Sequence, residues 1–104
     1  MFVRMSYWNC REESWGEDSK LFESGAVPIM RNHVGFVRAM LLATPGESQR
    51  IAFTVWTDRA AYQQFVESPD LDEITRMFAH MYIEGALPEP VEYEVRAHGE
   101  ANAA

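Results

Sequence analysis

Apolar positions in this chain recur at two spacings, and the switches between them mark out the elements. From Phe2 to Asn9 the period is two, with Val3, Met5 and Tyr7 on one side and Phe2, Arg4, Ser6 and Trp8 on the other, which predicts a strand. The polar run Arg11 to Ser14 ends it. From about Trp15 the spacing becomes three and four, placing Phe22, Gly25, Ala26, Ile29, Met30 and His33 on one helical face. Pro28 removes a ladder hydrogen bond and predicts a kink or restart near Val27. Gly35 permits a sharp exit into a strand from Phe36 to Thr44, with Phe36, Met40 and Leu42 facing one way and Val37, Ala39, Leu41 and Ala43 the other. Pro45-Gly46-Glu47-Ser48 is a turn, and the return through Arg50 to Trp56 completes a hairpin.

The sharpest change of period falls between Arg50 and Ser68. Ile51, Phe53 and Val55 alternate with Ala52, Thr54 and Trp56, the pattern of a strand covered on both faces. Asp58 then offers a carboxylate to the free N–H groups of a first helical turn, and Ala61, Tyr62, Phe65 and Val66 line one face. Ser68-Pro69 restarts the helix, with Asp70, Asp72 and Glu73 complementing its dipole and Leu71, Ile74, Phe78 and Met81 forming the buried stripe. Glu84 to Pro90 reads as a loop. Val91, Tyr93, Val95 and Ala97 alternate with Glu92, Glu94, Arg96 and His98 in a last strand.

The order strand, helix, strand, strand, helix, strand predicts an α+β, ferredoxin-like βαββαβ fold with a four-stranded antiparallel sheet. Residues 1–98 form a single such domain, and residues 99–104 a flexible C-terminal tail. Both helices belong on one face, yet the middle strands are apolar on both. The surplus apolar face predicts a homodimer packed sheet to sheet, a dimeric α+β barrel.

Charge and chemistry narrow the function classes. The net charge is −7 and the nine basic residues are scattered, which argues against nucleic acid and membrane partners. The first residues carry no apolar run long enough for a signal or a span, and the single cysteine, Cys10, reads as a small filler at a strand end; a cytoplasmic setting is expected. His33, His80 and His98 have no metal-ligand spacing, so no metal site is expected. Neither a dinucleotide fingerprint, a phosphate loop nor a nucleophile elbow occurs.

Pro28, Gly35-Phe36, Thr54-Val55-Trp56, Asp58-Arg59-Ala60-Ala61-Tyr62 and Ser68-Pro69 together resemble the antibiotic-biosynthesis-monooxygenase family of dimeric α+β barrels. Members that oxidise polycyclic phenols without a cofactor are similar at Trp56, Tyr62 and Arg76. The resemblance implies a pocket between sheet and helices for a planar phenol that ionises and reduces oxygen directly. The family's pocket asparagine is Ala52 here and its second-strand histidine is Leu42, which removes the obvious base. Arg76 falls roughly opposite the buried stripe. The haem-degrading branch is similar at Asn9, but its tryptophan and histidine positions carry Phe65 and Thr75, and His80 is rotated about 140° from the latter.

The candidate substrate-binding residues are Trp56, Tyr62 and Asn9. Ala52 and Thr54 leave room beside the indole, which is either a pocket wall or complementary packing. Tyr62 makes a core hydrogen bond or a substrate contact, and Asn9 shapes a turn or reaches a ligand. Two functions stay open: a cofactor-independent monooxygenase acting on a small aromatic or quinone-forming substrate, or a non-catalytic dimeric barrel that binds a small apolar metabolite or has a structural or stress-related role.

Overall fold

The computed structural model describes residues 1–102; Ala103 and Ala104, the end of the expected tail, lie outside the described residues. Four strands, β1 (Phe2–Asn9), β2 (Phe36–Ala43), β3 (Gln49–Trp56) and β4 (Val91–Glu94), form one antiparallel sheet in the order β2-β3-β1-β4. The ferredoxin-like arrangement expected from the element order is present. Strand alternation gives the sheet two unlike sides. Register pairs Phe2 with Trp56, Arg4 with Thr54 and Trp8 with Arg50, and these residues face the helices. Val3, Met5, Val55, Phe53, Met40 and Tyr93 face the other way.

The first helical segment is broken into α1 (Glu17–Leu21), a π-helical turn (Phe22–Ala26) and α2 (Val27–Arg31). The irregularity lies just ahead of Pro28, whose ring would crowd the carbonyl of Ser24 in a regular helix, so the chain widens and the α-helix restarts at Val27, as the proline predicts. Gly25 lets this wide turn approach its neighbour: a Cβ there would stand 3.1 Å from Met77 Sδ. The second segment comprises α3 (Arg59–Glu67) and α4 (Pro69–Phe78), divided at Ser68. Asp58 Oδ1 accepts from Ala61 N at 2.8 Å and Ser68 Oγ from Asp70 N at 3.3 Å, the two caps that the sequence pattern predicts. Gly35 takes φ +89°, and a Cβ at that position would overlap the side chain of Ala61, so only glycine lets β2 begin under α3.

Two expectations need correction. A bulge between Phe36 and Arg38 breaks the alternation of β2, so Phe36 faces the helices together with Ala39 and Leu41 rather than with Met40 and Leu42. The last strand stops at Glu94 instead of His98. Glu94 lies opposite Phe2, and the last backbone bond of this pairing is Val95 N donating to Met1 O at 2.8 Å. Beyond that point Val95, His98, Gly99 and Glu100 border a cavity of about 240 Å³ with Val3, Met40, Phe53 and Val55, partly covering one end of the open sheet face.

Candidate functional site

The helix-facing side of the sheet has an aromatic group at each end. At one end Trp56 is fully buried, 0 % exposed, with Phe65 stacked on it at 5.0 Å between centroids and Phe36 and Tyr62 meeting it by their edges at 5.4 and 5.8 Å. Phe2 packs on Tyr62 at 5.5 Å, and the Arg4 guanidinium lies 5.3 Å from the centre of the Tyr62 ring. Burial raises the Tyr62 phenol pKa above its usual value, Arg4 opposes that shift and Glu92 adds to it. Arg4 donates through Nη1 to Glu92 Oε1 at 3.0 Å. Two buried donors at this end, Arg4 Nε and Trp56 Nε1, have no acceptor among the described residues. Tyr62 is buried too, and neither ring borders the cavity at the far end of β1.

At the other end Trp8 meets Phe78 and Tyr82 by its edges, at 5.6 and 5.2 Å. Beside it opens a cavity of about 410 Å³ lined by Tyr7, Trp8, Asn9, Tyr82, Ile83, Glu84, Gly85 and Leu87. Ile83 and Leu87 are 39 % and 44 % exposed, an apolar rim. Asn9 O accepts from Ile83 N at 3.0 Å, and Gly85 passes so close that a Cβ would stand 3.0 Å from Asn9 Nδ2. Burial also raises the Tyr82 phenol pKa. Asn9 therefore does not join Trp56 and Tyr62. Phe2 is the β1 residue opposite Trp56, and Asn9 lies about 24 Å further along the strand.

A polar brace closes this second end. Arg50 Nε donates to Asp18 Oδ2 at 2.6 Å with both side chains under 8 % exposed, and Arg50 Nη1 donates to Glu47 O at 2.7 Å. Asp18 Oδ1 accepts from Gly16 N at 2.9 Å, and the guanidinium lies 5.4 Å from the Trp15 ring. Trp15 Nε1 in turn donates to Cys10 O at 3.1 Å. Sequence reading missed this pair, because the partners stand on different elements and no local spacing links them. Cys10 is the expected strand-end filler, 0 % exposed; burial and then the Asp18 charge raise its thiol pKa, the opposite of an activated nucleophile.

The other sequence candidates lie apart. Arg76 is exposed, as its position on the helix predicts. His33 Nε2 lies 2.7 Å from Asp70 Oδ2, and His80, 60 % exposed, lies 3.4 Å from Glu17. Among the described residues no three His, Cys, Asp or Glu side chains gather as a metal site. At the positions to which the haem resemblance points, Phe65 is core, the Thr75 hydroxyl donates to Leu71 O, and His80 projects at the surface.

No protein-family model and no curated protein matches the chain. Solved structures do. The ActVA-Orf6 monooxygenase of Streptomyces coelicolor, in complex with nanaomycin D, superposes with a TM-score of 0.76 at 17% identity, covering 97% of this chain and 92% of that one. The cofactor-independent oxygenase SnoaB of Streptomyces nogalater gives 0.71 at 17%, covering 93% and 94%. A MhuD variant with two manganese protoporphyrin IX molecules per active site gives 0.74 at 22%, covering 97% and 100%. The chain has the fold of the antibiotic-biosynthesis-monooxygenase-like proteins. None of its helices is long and apolar enough to cross a membrane among the described residues.

Proposed function

We propose that the protein is a homodimeric α+β barrel that binds a small planar aromatic ligand in the cavity at the end of β1. The observation that carries this reading is the contrast between the two aromatic groups: Trp8 and Tyr82 border about 410 Å³ of open volume, whereas Trp56 is enclosed by three rings. The volume suits a two- or three-ring ligand, and an apolar rim with the Asn9 amide beside it is the usual make-up of a small-molecule site. The same fold holding nanaomycin D in one protein and manganese protoporphyrin IX in another supports a planar ligand. Binding of this kind needs no cofactor. Titration with 2-naphthol should quench a tryptophan component that disappears in Trp8→Phe and persists in Trp56→Phe; quenching lost only in Trp56→Phe would move the site to the other end.

The dimer rests on the open face, where Met40 and Tyr93 are 43 % and 53 % exposed beside Phe53 and Met5. An obligate interface of this type buries roughly 2,000 Å² or more. Sedimentation at micromolar concentration should give about twice the chain mass, and a stable folded monomer there would remove the proposal.

A second reading is cofactor-independent monooxygenation around Trp56 and Tyr62, favoured by the two buried donors without acceptors. Leaving such a group unpaired costs about 1–3 kcal/mol, which an incoming phenolate or quinone oxygen would offset. Arg4 would favour the ionised phenol. Dioxygen would place one atom on the ring carbon and leave the other as water, turning a ring methylene into a carbonyl. The carboxylate beside Arg4 and Tyr62 is that of Glu92, which already accepts from Arg4 Nη1 at 3.0 Å, so a base for the phenol would have to come from that ion pair. Oxygen uptake with an anthrone substrate, abolished in Arg4→Met, would favour this reading over binding alone.

A further inference from the structure

We infer that the ligand of the β1 cavity is a planar heteroaromatic lactam, whose adjacent N–H and C=O pair with the backbone of Tyr7 while its ring lies against Trp8, Tyr82 and Leu87. This rests on the aromatic-binding reading above and names its ligand class.

The argument starts from the edge of β1. Successive backbone groups of a strand point alternately to its two neighbours. Cys10 N donates to Ser48 O, so even-numbered residues of β1 address the β3 side. Odd-numbered residues address the β4 side: Met1 O accepts from Val95 N, Val3 and Met5 stand opposite Tyr93 and Val91, Asn9 O accepts from Ile83 N, and Arg11 N donates to Met81 O. Two separate stretches of the C-terminal third thus pair with the same edge, and residues 84–90 leave it between them. Tyr7 falls in that gap. Continuing the β4 register would put Glu89 opposite Tyr7, but Glu89 stands between Pro88 and Pro90 and lies outside the strand. The cavity occupies the vacated place, with Tyr7 in its wall.

One residue's N–H and C=O, side by side, select a partner with a donor and an acceptor side by side. A ring lactam supplies both in one plane, and its apolar body matches the half-exposed Ile83 and Leu87 and the two aromatic edges. An added peptide strand fits less well, since Asn9 and Met5 on either side of Tyr7 are already paired and leave one residue of free edge.

Quinolin-2(1H)-one, its N-methyl derivative and 2-naphthol separate the possibilities when titrated into the isotope-labelled protein. The lactam should bind and shift the Tyr7 amide resonance, and blocking its donor should weaken binding about tenfold, the effect of one hydrogen bond left unmade. Leu87→Asp, at an exposed loop position, should weaken the lactam without lowering the unfolding temperature. Equal affinity for the N-methyl derivative, or a Tyr7 amide that does not move, would overturn the lactam inference. If 2-naphthol still quenches Trp8 in that case, the aromatic-binding reading survives; if none of the three binds, both fall.

Discussion

Trp56 and Trp8 stand on the same side of the same sheet and differ in almost everything else. At the Trp56 end β4 covers the edge of β1 from Phe2 to Met5, and the rings of Phe36, Tyr62 and Phe65 complete an aromatic core. At the Trp8 end β4 does not reach, a buried ion pair fastens α1 to β3, and a cavity remains. The contrast teaches that a tryptophan at a strand end borders open space only where the neighbouring strands stop short of it. Phe36 from β2 and Tyr62 and Phe65 from α3 fill the space beside the Trp56 ring.

The largest expected effect tests the sealed end. Trp56→Ala removes the ring that three others pack against and should cost about 3–5 kcal/mol, lowering the unfolding temperature by about 20 °C. A loss below about 1 kcal/mol by equilibrium denaturation would mean the indole is not core, and the comparison would break. Next is the brace at the open end. Asp18→Ala leaves the Arg50 guanidinium buried without its carboxylate and should cost about 3 kcal/mol. Asp18→Leu combined with Arg50→Met should recover most of that, because the penalty lies in the orphaned charge; equal loss in the double variant would assign the stability to the Coulomb attraction itself.

Alkaline pH probes both ends together. Burial raises the pKa of Tyr62 and of Tyr82, so each folded phenol holds its proton at pH values where the unfolded one has lost it. Their contribution is fully present below about pH 10 and is lost as pH rises through the raised folded values. Unfolding free energy should therefore fall with pH above about 10, and the slope should lessen in Tyr62→Phe and Tyr82→Phe. A slope unchanged in Tyr82→Phe would mean that this ring is solvated through the cavity.

The element order, both caps, the Ser68-Pro69 break and the face of each central strand were legible in the sequence, because they follow from period and from local capping chemistry. Residues that meet only through the fold were not. Arg4 on β1 reaches Tyr62 on α3, Asp18 reaches Arg50 from another element, and Tyr82 meets Trp8 after a separation that no spacing rule spans. The bulge at Phe36 was also illegible, since every residue around it is apolar except Arg38. Asn9 was grouped with Trp56 and Tyr62 in the sequence, and only the register of β1 against β3 shows that it stands at the opposite end of the sheet from them.

The smallest effect belongs to Arg76. Family resemblance makes it a pocket residue, whereas its helical phase and its exposure make it a surface one. It sits in the last turn of α4, where a cation complements the carbonyl end of the helix dipole by a few tenths of a kcal/mol. Arg76→Ala should thus cost no more than about 0.5 kcal/mol by urea denaturation and leave 2-naphthol affinity unchanged. A tenfold loss of affinity with the fold intact, about 1.4 kcal/mol, would require the guanidinium to reach the ligand, and only a rearrangement of the last turn of α4, where Phe78 packs on Trp8, would allow that.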